Sequence, residues 1–428
     1  MTACGDDDAN DDETFTYAAV NSAGKTVGYS VSGIKEEAAG EIVIPSKYKK
    51  LPVTGIEANA FNGCGGITSV TLPDSVRTIG ESAFAKCENL KTVSVSSVEN
   101  WCNISFANMS ANPMYFATEF YAGGKIVSDL VIPDSVVKIP DFAFYECENI
   151  TGVTVGKGVT EIGRNAFYGC PALESANVGG KVSAMGELAF ADCASLKTLQ
   201  IGNQVEVIGE YAFLNCQLLE DVTVPASVKR IETSAFADCT GIRTLNLNDG
   251  LEYIGDCAFG GCISLGEFNM PSTVSSIGFG IVMFGGNSGF VPGDTSNQVN
   301  KITLSDKLTE IPDYSFSYCG ITSITIGERV SKISYSAFYG CGQLESVVLP
   351  KSLKNIISFA FYRCSVLNTV YYMGTAEEWS LVKIGKNGND NFTGANDTVP
   401  AEVYYYSETQ PADAGNFWHY VNGEPAKW

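Results

Sequence analysis

One short phrase constrains this chain more than any bulk property. "ESAFAKC" (Glu81–Cys87) returns as "RNAFYGC" (Arg164–Cys170), "ELAFADC" (Glu187–Cys193), "EYAFLNC" (Glu210–Cys216), "TSAFADC" (Thr233–Cys239) and "YSAFYGC" (Tyr335–Cys341). The Cys series is Cys64, Cys87, Cys147, Cys170, Cys193, Cys216, Cys239, Cys262, Cys319, Cys341 and Cys364, with neighbours mostly 23 residues apart. The Phe series runs through Phe61, Phe84, Phe144, Phe167, Phe190, Phe213, Phe236, Phe259, Phe284, Phe316, Phe338 and Phe361. A fixed period of this length means that each unit buries its apolar face only against the next, so the chain stacks as a solenoid. The 428 residues would otherwise suggest two or three globular domains.

Each repeat opens with a short alternating run. In Ile67–Leu72, Val70 and Leu72 point inward, and Pro73, which has no N–H for the ladder, ends the run. "LKTLQI", "LEDVTV", "IRTLNL" and "LESVVL" are equivalent, and successive copies should pair in parallel. The return, "VxxIGxxAFxxC", is too short and too punctuated by Gly for a long helix. Turns, bridges or 3₁₀ pieces are expected there. The recurrent aliphatics make this a leucine-rich repeat solenoid, mainly β, with one long parallel sheet on the concave side. Phe84, Phe144, Phe167, Phe190, Phe213, Phe236, Phe259, Phe338 and Phe361 should stack as its internal spine, with each Cys a small apolar group at a tight corner.

The pattern "LxxVxLPxSVxxIGxxAFxxC", which runs from about Glu41 to Val370, resembles the BspA-like leucine-rich repeats of bacterial surface proteins. The resemblance implies a right-handed curved superhelix, exposure at the cell surface, and adhesion or partner binding.

Composition excludes several alternatives. The formal charge is −21, with six acids and no base within Cys4–Glu13, which argues against nucleic acid and against anionic lipid headgroups. An apolar fraction of 45% suffices for a packed interior, and no apolar run reaches membrane-spanning length. Eleven of the 14 Cys keep the repeat beat, leaving Cys4, Cys102 and Cys257. Equivalent Cys on stacked repeats have parallel Cβ vectors, so they read as free buried thiols rather than disulfides. With one His and no CxxC pair, a metal site is not expected.

The breaks in the beat are informative. Cys87 and Cys147 lie 60 residues apart, and the surplus contains "SVENWCNISFANMSANPMYFATEFYAGG" (Ser97–Gly124). A related segment, Thr375–Glu408, follows the last repeat. Each places an acid two residues before Trp (Glu99 and Trp101; Glu377 and Trp379), and the resembling family carries similar inserts. The inserts either pack their Trp on the solenoid or project it as a binding element. Gly285–Gln298 reads as a surface loop. Open solenoid ends need covers, which Phe15–Tyr29, as a hairpin around "NSAGK", and Gly415–Trp428 should supply. The organisation is therefore an acidic tail (1–13), a cap with a partial repeat (14–57), repeats (58–374) and a Trp/Tyr-rich module with a cap (375–428).

"TAC" before the Asp run resembles the end of a bacterial lipobox, with Cys4 the lipidated residue of an outer-membrane lipoprotein whose signal peptide has been removed. The Asp run resembles a surface-export tag. "DSV" (Asp74–Val76, Asp134–Val136) and "DTV" (Asp397–Val399) resemble short O-glycosylation acceptors, although the first two also suit a turn.

Catalytic chemistry finds no constellation. His419 is the only His, and neither GxSxG, HExxH nor a P-loop is present. Glu377 and Glu378 read as solvated. "NGNDNFTGAND" (Asn387–Asp397) has oxygen ligands but not the register of a calcium loop, so a polar turn is expected. No catalytic residue, cofactor or metal is assigned. The outward strand row reads Thr71, Ser94, Thr154, Asn177, Gln200, Thr223, Asn246, Asn269, Thr303, Thr325, Val348 and Tyr371. It is either a hydrogen-bonding surface or a solvated sheet face. Candidate binding residues are Trp101, Asn177, Gln200, Asn246, Asn269, Tyr371, Tyr372 and Trp379. The leading expectation is a non-enzymatic surface protein that binds a protein or cell-surface ligand. The alternatives are a glycan-binding protein of a nutrient-capture system and a structural envelope protein.

Overall fold

Short β-branched runs closed by Pro or Gly form the strands. The computed structural model describes residues 14–35, 39–283, 299–394, 399–412 and 415–428. The Cys4 tail, Phe284, the 285–298 loop and Asp397 lie outside the described residues. The chain packs as two units, one comprising Met1–Val182 with Gly186–Ala194 and the other Ser183–Met185 with Ser195–Trp428.

In the first unit, Gly66–Thr71, Thr92–Val95 and Glu119–Ala122 pair in parallel, as do Asp129–Val131, Gly152–Thr154 and Ser175–Val178. The sequence suggested one unbroken sheet; the strands here form two. The cause is the insert. Gly123 and Gly124 turn the chain back so that Lys125–Ile126 pairs antiparallel with Tyr121–Ala122. The side chain of Asn149 bridges the break, accepting from Phe120 N–H at 3.1 Å and donating to the Val127 carbonyl at 2.5 Å. Phe15–Ser22 and Lys25–Ile34 form an antiparallel hairpin whose second strand pairs in parallel with Leu51–Ile56.

The second unit repeats the scheme. Asp221–Val224 pairs with Thr244–Leu247, and Glu267–Asn269 with Lys301–Thr303. Ser323–Thr325, Ser346–Leu349, Thr369–Tyr372, Glu402–Tyr406 and Phe417–Val421 follow in parallel, with Glu424–Lys427 antiparallel at the end.

The return contributes more than turns. Its Ile pairs in a second parallel ladder of two-residue strands, such as Lys138–Ile139 with Glu161–Ile162, or Arg230–Ile231 with Tyr253–Ile254. The Gly after that Ile is required by close approach: a Cβ at Gly255 would lie 2.6 Å from Thr233 N, while its N–H donates to the Ile231 carbonyl at 2.8 Å. The described 3₁₀ helices, Met109–Ala111 and Pro113–Tyr115, belong to the insert rather than to the repeats.

A third ladder runs through the AFxxC turn. In one repeat the N–H groups of Phe142, Phe144 and Glu146 donate to the carbonyls of Arg164, Ala166 and Tyr168 at 2.7–2.9 Å. Two left-handed residues flank the Phe, for example Asn165 and Gly169, or Leu188 and Asp192. The Phe rings stack in the interior. Phe144, Phe167 and Phe190 lie 5.2 and 4.9 Å apart with interplanar angles of 8°. Phe213, Phe236 and Phe259 follow at 5.1 and 5.5 Å in the second unit. The Cys is more than an apolar corner. Its thiol donates to the carbonyl of the preceding repeat's Phe, as from Cys170 to Phe144 at 3.1 Å and from Cys239 to Phe213 at 3.0 Å.

Candidate functional site

The acids and the His singled out in the sequence are held in local structure. Thr375 and Glu378 form a capping box at the helix Ala376–Trp379, and Lys351, 2.9 Å from Glu378, holds that carboxyl below its ordinary range. The exposed Glu377 is likewise lowered, chiefly by a backbone hydrogen bond. The His419 ring stacks on Trp428 at 3.6 Å. In the oxygen-rich loop, Asn389 is fully buried and donates to the Ile357 and Gly385 carbonyls, both at 2.9 Å, while Asn391 donates to the Cys364 carbonyl. Asn389 Oδ1, the atom that would ligate calcium, accepts from Phe361 N–H at 3.2 Å. No group of three or more His, Cys, Asp or Glu is placed to hold a metal ion among the described residues.

Trp101 is fully buried and cannot serve as an exposed binding anchor. The inserted repeat has no AFxxC phrase, and its Trp packs in the interior with Phe106 and Phe120, the latter meeting Phe144 of the next repeat at 5.8 Å. The ring sits 5.1 Å from both Phe106 and Phe120, and its N–H donates to the Ala143 carbonyl at 2.8 Å. Tyr372 is likewise unavailable at 1% exposure, and its carbonyl accepts from the Trp418 indole at 3.0 Å. Trp379 is half-buried against Tyr372 and Phe392, and Tyr371 is half-buried against Trp418 and Tyr404.

Asn177, Gln200, Asn246 and Asn269 are exposed on outward strand positions. Thr154 is paired with Asn177, Thr223 with Asn246, and Asn269 with Thr303. Part of this row satisfies itself: Thr303 donates to Asn269 at 2.8 Å, and Asn246 to Thr223 at 3.3 Å. The row changes character in the second unit, where Val348 is 4% exposed and the terminal hairpin, carrying Trp418 and Tyr420, lies against Tyr371 and Met373. A groove of about 420 Å³ results, with Thr325 and Val348 on its floor, Met373 and Tyr420 on one wall, and Glu328 and Arg329 at its edge. The Tyr420 phenol is pushed up by burial first, then by Tyr406 and Glu328.

A second surface was not recognised in the sequence. In the last repeats the turn positions around the Phe are aromatic. Tyr314, Tyr335 and Phe359 form one contiguous row with ring centroids 5.6 and 5.5 Å apart, and Tyr318, Tyr339 and Tyr362 form another at 5.2 and 5.5 Å. The Arg363 guanidinium lies 5.8 Å from both the Tyr339 and the Tyr362 rings. Beside these rows opens an apolar cleft of about 400 Å³ lined by Phe279, Met283, Tyr314, Tyr335 and Tyr339. Phe279 and Tyr335 are 40% and 39% exposed. The aligned phrases carry only part of the signal: Tyr339 and Tyr362 follow the Phe where Ala191, Leu214 or Ala237 stand in other repeats, but Tyr145 and Tyr168 occupy the same position in the first unit.

The BspA type leucine rich repeat region (6 copies) matches residues 38–119, 116–243, 239–283 and 294–387. The chain belongs to this family. The BspA-type match has segments in both units, runs through the first Trp insert and enters the second as far as residue 387. A leucine-rich repeat protein from Bacteroides ovatus is similar over 92% of this chain and 98% of its own, at 20% identity and a TM-score of 0.50. A leucine rich cell surface protein from Faecalibacterium prausnitzii covers 88% of this chain and 98% of its own, at 24% identity and a TM-score of 0.46. No curated protein matches the chain. These likenesses bear on the fold alone.

Proposed function

We propose that this BspA-type protein is a non-enzymatic adhesion scaffold of a bacterial cell surface, and that it binds a partner protein through the aromatic turn face of its second unit. The observation that carries this reading is the pair of exposed rings, Phe279 and Tyr335, over an apolar cleft beside Arg363. Tyr and Arg supply much of the energy of protein interfaces, because they offer large rigid area and few torsions to freeze. The stacked repeats beneath hold the rings in place without help from a partner. Attachment through Cys4, with the Asp run as a spacer, supports a position outside the cell.

The test is a binding panel of extracellular-matrix proteins and whole cells against the full chain, alongside a Phe279→Ala/Tyr335→Ala double variant. A partner whose affinity falls tenfold or more in the variant supports the reading. Wild-type affinity in the variant, or no partner on the panel, overturns it. Mass spectrometry of the protein recovered from its native membrane addresses the anchor, since an unacylated Cys4 would remove it.

A further inference from the structure

A second site lies in the same unit, within the groove at Tyr420. This inference rests on reading the chain as a binding scaffold, and it gives that scaffold a ligand class. We propose that the groove binds a neutral oligosaccharide, with Tyr420 as its stacking platform.

The shape comes first. The volume of about 420 Å³ lies within the range of small-ligand sites and suits one or two sugar rings. The lining is amphiphilic in the way a pyranose is. Val348, Met373 and the Tyr420 ring offer an apolar floor and wall, and Thr325, Glu328 and Arg329 offer polar groups at the margin. An aromatic face carries partial negative charge and attracts the polarised C–H face of a sugar. Carboxylate and guanidinium groups are planar and present paired acceptors or donors, which match vicinal hydroxyls. Tyr420 packs against Trp418 at 5.0 Å and 74° and against Tyr406 at 6.2 Å, with its hydroxyl 4.0 Å from Met373 Sδ, and these contacts fix the ring at the groove while it stays 39% exposed.

The polar groups are available. The side chains of Glu328 and Arg329 are exposed and make no hydrogen bond or ion pair among the described residues. Asp306 adds a second carboxylate, so the groove holds two acids and one base. That balance, on a chain of net charge −21, repels uronates, sialylated glycans and phosphates, and so favours a neutral sugar. Binding of a peptide by strand addition has no place here, because Ser346–Leu349 at the floor is already paired on both sides.

The ligand can come from a glycoconjugate on another cell or from a free polysaccharide, since the recognised chemistry is the same. Isothermal titration of the full chain with neutral gluco-, manno-, galacto- and xylo-configured hexasaccharides tests the site. One of them is expected to bind, with affinity reduced at least tenfold in Tyr420→Ala and at least threefold in Arg329→Ala, whose exposed side chain is dispensable for folding. Tyr335→Ala should titrate like the wild type. Loss of cell binding after glycosidase treatment, or competition by free polysaccharide alone, then separates the two sources. The proposal is overturned if no neutral hexasaccharide binds, if only anionic sugars or a peptide bind, or if Tyr420→Ala keeps full affinity at matched thermal stability. Protein binding through Tyr335 without sugar binding would sink this site and leave the scaffold reading intact; silence in both assays would sink both.

Discussion

Replacing Cys170 tests whether the recurrent Cys is filler or part of the hydrogen-bond scheme. The thiol is fully buried and donates to the Phe144 carbonyl at 3.1 Å. Cys170→Ala removes a volume close to one methylene, worth about 0.8 kcal/mol. It also leaves the carbonyl with only the Cys147 N–H at 3.3 Å, a weakened pairing that costs about 1 kcal/mol. The expected loss is about 2 kcal/mol. Cys170→Val refills the volume but not the donor, so about 1 kcal/mol of that loss should persist. Cys170→Ser keeps a donor but shortens its reach and buries a more polar group. Urea titration followed by far-UV circular dichroism reads these differences, with the m-value checked because repeat arrays can unfold in parts. Wild-type stability in Cys170→Val would show that the thiol only fills space and would refute the hydrogen-bond argument.

Three further outcomes follow from the same packing. Trp101→Ala should cost about 3–5 kcal/mol by leaving a cavity beside Phe106 and Phe120 and leaving the Ala143 carbonyl with only the Asn112 amide at 3.2 Å, while Trp101→Phe should lose less; urea midpoints would show this order, and a neutral Trp101→Ala would contradict the burial. Lys86 is exposed with φ +60, so Lys86→Gly should raise the melting midpoint by an equivalent of about 0.5–1 kcal/mol, the left-handed penalty relieved less the entropy of glycine. Burial raises the Cys147, Cys170, Cys262 and Cys364 thiols well above their ordinary 9.0, so the unfolded chain releases these protons first. Their contribution is fully present below pH 9 and is lost as pH rises beyond it, by up to about 1.4 kcal/mol per thiol per pH unit. Denaturation midpoints between pH 8 and 10.5 should fall, and flat midpoints in that window would refute it.

Much of the fold was legible because it repeats. Val70 and Leu72 alternate inward, Pro73 ends its strand, and a Phe every 23 residues cannot be accommodated except as a stacked column. The hidden parts were those that periodicity does not report. Left-handed turn residues are easy to see as Gly169 or Asn165, but Leu188 and Tyr211 adopt the same conformation with no local signature. Of the two readings open for the Trp101 insert, packing on the solenoid is the one the structure adopts, and the sequence could not say that Phe106 and Phe120 would be its partners. The polar outward row could be read position by position. The groove at its end could not, because Tyr420 reaches it from a hairpin over 90 residues beyond Thr325.

The turn-face aromatics raise a question that packing does not answer. Tyr314, Tyr318 and Phe359 are held at φ +55, +61 and +63, a conformation that costs a non-glycine residue on the order of 1 kcal/mol. Equivalent positions elsewhere hold Asn165, Ser234, Asn215 and Gly261, which tolerate it better, but also Phe142, Leu188 and Tyr211, so the strain belongs to this turn throughout the solenoid. The interior gains nothing from the exchange at Tyr314, whose ring lies on the face of the cleft and not in the Phe column. Because each repeat packs only on its neighbours, residues at these turns can change without disturbing the core, and the strain alone does not identify a partner. What distinguishes the last repeats is that Phe279 and Tyr335 are exposed there and Arg363 lies over neighbouring rings, and the double variant of these two aromatics is the perturbation that separates a recognition role from a turn that merely tolerates aromatics.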